Sequence, residues 1–592
     1  MSYKIFSYLD EITDAYEEPV SILDGLTFNH KETLRTIEFY SNNQYLSGNK
    51  DALGREKPFY NVCNYRVTVA KTATDLDVKD IKYEPDSLND SVATMLINHE
   101  LFKYLKEINF SKTLNDMGLT RPKYGGLLVK QNEDTIDVVD WKNVEVDPAT
   151  IIDNVIIETH YLQPSELAAK SDVWENVDEA LEEFAKQNKG KPGRIEIKEI
   201  SGEMPDSLYK ECYMEKYKAT KKDQNTYKRM CFYIACFGDK KVLLSCEYEK
   251  TSRYKYLPWD KIPGRGLGRG IVEGGFEAQT WTNDAIISAK TATDLTTKVI
   301  LNTTSKKVSG NAITGVNNGH IFELEPNATM TALNLGPSKL PEITNIVDLW
   351  NTQYDRESST YNANTGEAPT AGTPYSQTAL LNQVANSPFE YQREVWGIFL
   401  NEILNDWIFP ELKRRIMKPH YLVSEYSQEE LKIIDEAIKI REGNKLVKKE
   451  LLEGEGIPSP YQMDSIDASV DKSLENNANK REIYIPEDFL DIKGKITANI
   501  TGELKNKYAL LQSLAQIGRD ITATFNPQTG QYAAMENPFL RKLYGSIINL
   551  TGTSMSAADL KPSPTGTSPV VQPSPAESAA PAPAAPALPL TA

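Results

Sequence analysis

Apolar residues along this chain follow two periods, and the points where one gives way to the other divide it into segments. Leu34, Ile37 and Tyr40 give a short helical face within an N-terminal arm over residues 1–60, closed by Ser41-Asn42-Asn43. Beyond Asn61 the segments shorten, and Tyr65, Val67 and Val69 alternate with polar neighbours as a half-buried strand would. Residues 90–107 set Val92, Met95, Leu96, His99, Phe102 and Leu105 at i, i+3, i+4 spacing, an amphipathic helix with His99 on its core face. Gly125–Val129 and Thr135–Val139 predict a hairpin, followed by Val144-Glu145-Val146 and an Asp147-Pro148 turn. After a charged helix over 164–187 and the breaker run Lys189-Gly190-Lys191-Pro192-Gly193, an antiparallel meander is expected. Its strands are Ile195–Ile197, Cys212–Lys218, Arg229–Cys236 and Val242–Tyr248.

Residues 258–270, Pro-Trp-Asp-Lys-Ile-Pro-Gly-Arg-Gly-Leu-Gly-Arg-Gly, are the sharpest punctuation in the chain. A helix over 271–303 follows, rich in small residues (Ala278, Ala285, Ser288, Ala289, Ala292) and poor in large apolar ones. So little grease predicts packing against neighbouring elements along its length rather than burial in its own core. Residues 305–337 read as short strands and turns, with Val316-Asn317-Asn318-Gly319 a turn and His320–Leu324 alternating. A second helix over 339–360 carries Ile343, Ile346, Val347, Trp350 and Tyr354 on one stripe. Asn362–Pro374 has no period and is a long loop, the kind that inside a domain is usually functional. Pro388 is expected to open a long helix with Val395, Phe399, Ile403, Leu404 and Trp407 in phase, ending near Pro410 or running on kinked to Met417. Ser427-x-x-Glu430 caps a helix through Leu431, Ile434 and Ile438, and residues 501–517 repeat an apolar face through Leu504, Tyr508, Leu511 and Leu514. From Ser556 the composition falls to Pro, Ala, Ser and Thr, the mark of a disordered tail. The heptapeptide Ala-Lys-Thr-Ala-Thr-Asp-Leu occurs at 70–76 and again at 289–295, with unmatched flanks.

The fold class this predicts is α+β. At 592 residues, about two to four domains are expected. The net charge of −17 makes tight binding of nucleic acid unfavourable, since that needs clustered cations against phosphates. Five cysteines without a CxxC predict reduced thiols rather than a disulfide framework or a zinc site. Acids where a signal peptide needs cations, and no long apolar run, predict folding in a cytosol and no membrane partner.

Catalytic chemistry is sparse. Gly264, Gly266, Gly268 and Gly270 fall at every second position, so no GxGxxG can be drawn and a Rossmann phosphate loop is disfavoured. They predict a backbone that turns sharply or passes close to another chain, with Arg265 and Arg269 binding phosphate or pairing with carboxylates of an adjacent subunit. Walker A, GxSxG, HExxH and EF-hand patterns are absent, and His30, His99, His160, His320 and His420 are scattered. Most carboxylates, such as Glu179–Glu183, lie on helix faces as solvated charge, and basic runs such as Lys413-Arg414-Arg415 are short. The expectation is a protein that is not an enzyme and that uses no cofactor or metal.

The order of segments, with Pro263–Gly270, Val272-Glu273, the Gln279-x3-Asn283 helix and upstream Gly126–Val129 and Val144–Pro148, resembles the portal proteins of tailed double-stranded DNA bacteriophages, most closely those of crAss-like phages. The resemblance covers roughly residues 60–450. It implies a homo-oligomeric ring of twelve copies at one capsid vertex of the virion, assembled in the host cytoplasm. Double-stranded DNA would pass through it, weakly and non-specifically bound, driven by a separate ATPase. The implied parts are an arm (1–60), a wing (61–260) meeting the major capsid protein and scaffold, a glycine-rich turn with the first stem helix (261–304), and a clip (305–337). The clip would contact the large terminase and later tail adaptor proteins. A second stem helix (338–360), a tunnel loop (361–386), a wing-to-crown helix (387–418), a helical crown (419–555) and the tail (556–592) follow.

Channel residues under this resemblance are Asn362, Asn364, Thr365, Tyr375 and Gln377 on the loop, with Lys290, Lys298 and Lys339 on the stem. Lys306, Lys307, Asn317, Asn318 and His320 are the clip contacts. Two other classes share parts of the pattern. A head–tail adaptor has the same missing active site but is usually much shorter, and a nucleic-acid-processing enzyme would need a metal-binding carboxylate set.

Overall fold

The computed structural model describes residues 4–51, 54–86, 91–132, 135–188, 191–213, 225–296, 300–303, 330–333, 340–360, 375–416, 420–423, 428–452, 460–474, 482–485 and 490–498, with 327, 516, 525–526 and 531–532 besides. The chain divides into a unit over Met1–Gly502 and a second over Glu503–Ala592. The first is α+β, and every strand pair described in it is antiparallel. In the second, the described strands are Phe525–Asn526 and Gln531–Tyr532, paired with each other.

The chain opens with helix α1 (Lys4–Glu17), the hairpin β1 (Val20–Leu23) and β2 (Leu26–Phe28), and α2 (His30–Ser41). Asn29 caps α2 by accepting from the Glu32 N–H. Helix α3 (Cys63–Ala73) stands where alternation predicted a strand. Its buried positions, Cys63, Arg66, Val67 and Ala70, follow the helical period. That period is invisible in hydropathy because one of the four is an arginine, while Tyr65 of the apparent strand is exposed.

Strand β3 (Ile81–Pro85), α4 (Ser91–Glu107) and α5 (Phe110–Tyr124) come next, and Gly125 ends α5 in the left-handed region at φ 87°. In α4 the buried set is Ala93, Leu96, Ile97, Leu101, Tyr104 and Leu105. Phe102 is half-exposed and His99 only partly covered, so the core face is rotated from the expected one. Strand β4 (Gly126–Gln131) pairs with β5 (Ile136–Val138), as the hairpin reading required.

Strands β6 (Val144–Glu145) and β7 (Ile156–Leu162) lead into α6 (Pro164–Ala168) and α7 (Val177–Asn188). The meander is then β8 (Ile195–Pro205), helix α8 (Asp206–Tyr213), β9 (Tyr227–Phe237) and β10 (Lys240–Tyr248). The sheet order is β10-β9-β8-β7-β6. Cys212 and Tyr213 were expected to open a strand over Cys212–Lys218, but they close α8, in which Leu208 and Cys212 lie one turn apart on the sheet. One sheet face holds Ile200, Met204, Phe232 and Ile234 under Ile5 and Leu9 of α1. The other holds Ile195, Ile197, Ala235 and Leu244 under Leu167 and Ala180 of α6 and α7. The N-terminal arm is thus partly a lid on the sheet.

Strand β11 (Tyr254–Pro258) returns to pair with β4. Past the glycine-rich turn, α9 (Ile271–Gly274) and α10 (Phe276–Thr296) replace the single helix expected over 271–303. The Gly274-Gly275 step separates them. Strand β12 (Ile300–Thr303) pairs with β13 (Met330–Leu333). Helix α11 (Leu340–Glu357) matches the second stripe. Helix α12 (Tyr375–Ile403) begins thirteen residues before Pro388, so that proline lies inside a helix instead of opening one, and the loop expected over 361–386 is helical from Tyr375.

A π turn (Leu404–Ile408) joins α12 to α13 (Phe409–Ile416). Pro410 has no N–H and crowds the carbonyl four residues back, and the extra residue lets the Phe409 N–H reach Leu404. Strand β14 (His420–Val423), helices α14 (Gln428–Leu452) and α15 (Pro460–Leu474), and strands β15 (Glu482–Ile485) and β16 (Gly494–Ala498) complete the unit. The capping residue Ser427 and all but one of the residues over 501–517 lie outside the described residues. The largest core gathers α4, α5, β4, α12 and α13 with Ile434, Ile438, Ile492 and Ile496.

Candidate functional site

The glycine-rich turn is where the sheets hand the chain over to the helix pair α10–α11. Gly264 takes a left-handed φ of 88°. Gly268 and Gly270 press against Gly125 so closely that a Cβ on Gly268 would lie 2.4 Å from the Gly125 carbonyl oxygen. Arg265 does not reach outward to another subunit: it is buried, binds both carboxylate oxygens of Glu273 at 2.7 Å, donates to the Leu267 and Gly268 carbonyls, and stacks on Phe28. Such a forked pair with the backbone carbonyls satisfied makes a rigid turn. The Tyr256 hydroxyl donates to the Gly266 carbonyl and accepts from the Gly268 N–H. Arg269 is half-exposed and finds carboxylates of its own chain, Asp260 at 3.8 Å and Glu357 at 3.5 Å.

Beyond the turn, the base of the helix pair is locked by polar groups. Gln279 accepts from the Val62 N–H and donates to the Tyr60 carbonyl, and Asn283 accepts from the Tyr60 N–H. Both side chains are fully buried. Tyr354 of α11 donates to the Ile271 carbonyl and lies where a Cβ on Gly275 would be. Arg66 stacks on Tyr354, pairs with Asp355 at 2.6 Å and donates to the Asn351 carbonyl. Arg121, buried between Trp259 and Trp396, donates to the Pro258 carbonyl and to the Gln392 carbonyl and side chain. Burial without a bound carboxylate pulls its pKa down to about 9. These arginines tie the C-terminal end of α11 and the middle of α12 to the same body.

Outward from that base the pair has little cover. No residue over 284–293 of α10 is buried, nor any over 341–353 of α11. Trp281 and Trp350 stack in parallel, 6.2 Å between centroids and 2° between planes. Trp281 (51%), Ile346 (44%) and Leu349 (68%) are exposed. The two helices form a stalk whose far end continues into the β12–β13 pair.

Of the residues singled out from sequence, the four glycines and two arginines form the turn, and Lys290 sits exposed on α10. Tyr375 and Gln377 open α12. Lys298, Lys306, Lys307, Asn317, Asn318, His320, Lys339, Asn362, Asn364 and Thr365 lie outside the described residues. No family model matches the chain, and no curated protein matches it.

Two other places invite a chemical reading. A cavity of about 170 Å³ borders Arg269, Gly274, Tyr354, Glu357 and Gln392, room for a few waters and below the size of a nucleotide site. Glu158, His160 and Glu199 bring three ligand atoms within 4.8 Å of one another. The Lys130 ammonium already occupies that seat, hydrogen-bonded to both carboxylates, while Tyr254 donates to Glu158 and His160 bonds Glu199. Burial would raise the Glu199 carboxyl, but His160 and Lys130 hold it down at about 2. Burial works against the Lys130 charge, and Glu199 and Glu158 overcome it, raising its pKa. The cluster is a buried ion pair network joining β4 to β7 and β8. Sequence reading missed it because its members lie far apart along the chain. It also missed Arg66 and Arg121, which look like ordinary surface cations.

Proposed function

We propose that this chain is a portal-type subunit: a structural, non-enzymatic protein that closes with copies of itself into a ring, twelve in number, at one capsid vertex. In this reading double-stranded DNA passes through the ring during packaging and ejection, driven by the large terminase. The αβ body over 61–260 faces the major capsid protein and scaffold, and tail adaptors take the place of terminase at the stalk's outer end.

The observation that carries the reading is the stalk. A lone chain does not gain by extending two helices with bare faces and exposed Trp281, Ile346 and Leu349 from a rigid base; neighbouring copies packed side by side would cover them. The locked turn supports it further, because a rigid base fixes the angle at which every copy presents its stalk. α10 and α11 are then the stem, β12–β13 the root of the clip, and the segment between α11 and α12 the tunnel loop.

Negative-stain imaging and mass measurement of the purified chain test the proposal. Rings with a central hole and a mass of about 800 kDa, twelve copies of 66.5 kDa, are expected. A monomer at every concentration, with metal-dependent activity on DNA, would replace the portal reading by an enzymatic one.

A further inference from the structure

The helices α6 and α7 that cover one face of the five-stranded sheet carry a feature that the ring reading does not use. An open groove of about 860 Å³ runs between α6, α7 and the segment 191–194. Its floor is apolar: Pro164, Leu181, Phe184 and Pro192 line it. Its lip carries Lys191 and Arg194, both exposed. No carboxylate lines the groove, and neither cation forms an ion pair among the described residues. The contrast with the rest of α7 is sharp. There Glu179 and Glu183 are tied to Lys240, and Glu182 and Glu183 approach Lys186. In a chain of net charge −17, this is a local positive rim around an apolar floor.

We propose that this groove docks an extended, acidic segment of a partner protein, with alternate apolar side chains on the Leu181–Phe184 floor and carboxylates against Lys191 and Arg194. Charge complementarity selects the occupant. Two cations over a floor of Leu181, Phe184 and two prolines match a peptide bearing a few carboxylates, whereas a nucleic acid strand needs a longer cationic track. The open shape suits an extended chain, which fills shallow grooves through alternate side chains. The proposal stands whether or not the chain forms a ring.

The test is fluorescence anisotropy with the full chain and a labelled peptide of about a dozen residues alternating Leu with Asp. Saturable binding that weakens with salt is expected. The double variant Lys191→Glu/Arg194→Glu, at two exposed positions and with folding checked by circular dichroism, should bind it about tenfold more weakly or worse. Replacing Leu by Ser in the peptide should weaken binding to a similar extent. Binding of the Leu/Lys peptide as tight as the Leu/Asp one, unchanged affinity in the double variant, or no saturable binding would overturn the proposal. Equal displacement by oligothymidylate would reassign the groove to phosphate. A drop in self-association in the double variant, with peptide affinity unchanged, would reassign it to a second copy.

Discussion

Replacing Ile346 and Leu349 of α11 by Glu tests whether the stalk is covered by copies of the chain. Leu349 is 68% exposed and Ile346 44% exposed in the isolated chain. Full burial of such a side chain is worth about 1.5–3 kcal/mol, so covering the exposed fractions contributes roughly 2–3 kcal/mol to each contact between neighbours. Each 1.4 kcal/mol is a factor of ten, and the loss is about 30- to 150-fold in the pairwise constant. New carboxylates beside Glu342 and Asp348 add repulsion. Every contact around a ring carries the same change, so the losses compound. The isolated chain should hardly notice, because substitutions at exposed helix positions usually stay within about 0.5 kcal/mol. Mass photometry over a concentration series, with thermal melting of the same samples, separates the two effects. Dissociation to subunits that still melt cooperatively, and so remain folded, is expected. Rings as abundant as in the unaltered protein would refute the assignment of this face to an inter-copy contact.

Three further outcomes follow from the buried polar groups. Lys130→Met strands two carboxylates beside β4 and should destabilise the chain by about 3–5 kcal/mol in urea unfolding, with most of the loss recovered when Glu158 and Glu199 are also made apolar. Gln279→Leu leaves the Val62 N–H and Tyr60 carbonyl unpaired at a buried site; a loss of about 1–3 kcal/mol is expected, with faster amide exchange at Val62. His30 is buried and, among the described residues, neither ring nitrogen has a hydrogen-bond partner; burial, then the nearby Arg265, lowers its pKa from 6.5 to about 4. Above the ordinary value both folded and unfolded forms are neutral. As pH falls from 6.5 towards 4 the unfolded chain takes up a proton that the folded chain refuses, so stability drops by roughly 3 kcal/mol across that window. In His30→Phe the same descent in pH should lack that component, read as the difference between the two unfolding midpoints at each pH.

The elements with a clean period were readable from the sequence, and those decided by a distant partner were not. The meander strands β9 and β10 are short, nearly continuous apolar runs bounded by polar turns, buried on both sheet faces, and their place follows from hydropathy. Helix α3 was misread because Arg66, which shares its buried face, is paid for by Tyr354 and Asp355 some 290 residues later. The repeated heptapeptide makes the same point. Thr74 bonds back to the Ala70 carbonyl and Thr293 to the Ala289 carbonyl, an identical local device. Yet the first copy ends its helix at Ala73 and the second continues to Thr296. The glycine turn was visible as a turn, whereas the partner of Arg265 was not: a forked pair with Glu273, eight residues on, requires the chain to double back, which spacing alone does not reveal.

The stalk also sharpens what the acidity of the chain means. Over Phe276–Thr296 and Leu340–Glu357 the acids are Glu277, Asp284, Asp294, Glu342, Asp348, Asp355 and Glu357, and the cations are Lys290 and Arg356. Asp355 and Glu357 are engaged by Arg66 and Arg269 at the base, which leaves the outer stalk acidic in its own right. A wall of that sign around a DNA duplex would repel it at distances within the Debye length, about 10 Å at 0.1 M salt. Tight binding releases counterions from phosphate and depends steeply on salt; passage past a repelling wall does neither. Under the portal reading, then, a net charge of −17 is compatible with a DNA partner and incompatible with a strong grip on it. DNA retention by assembled particles should accordingly depend little on salt, and a steep fall in retention between low and moderate salt would show that cations elsewhere in the channel hold the duplex.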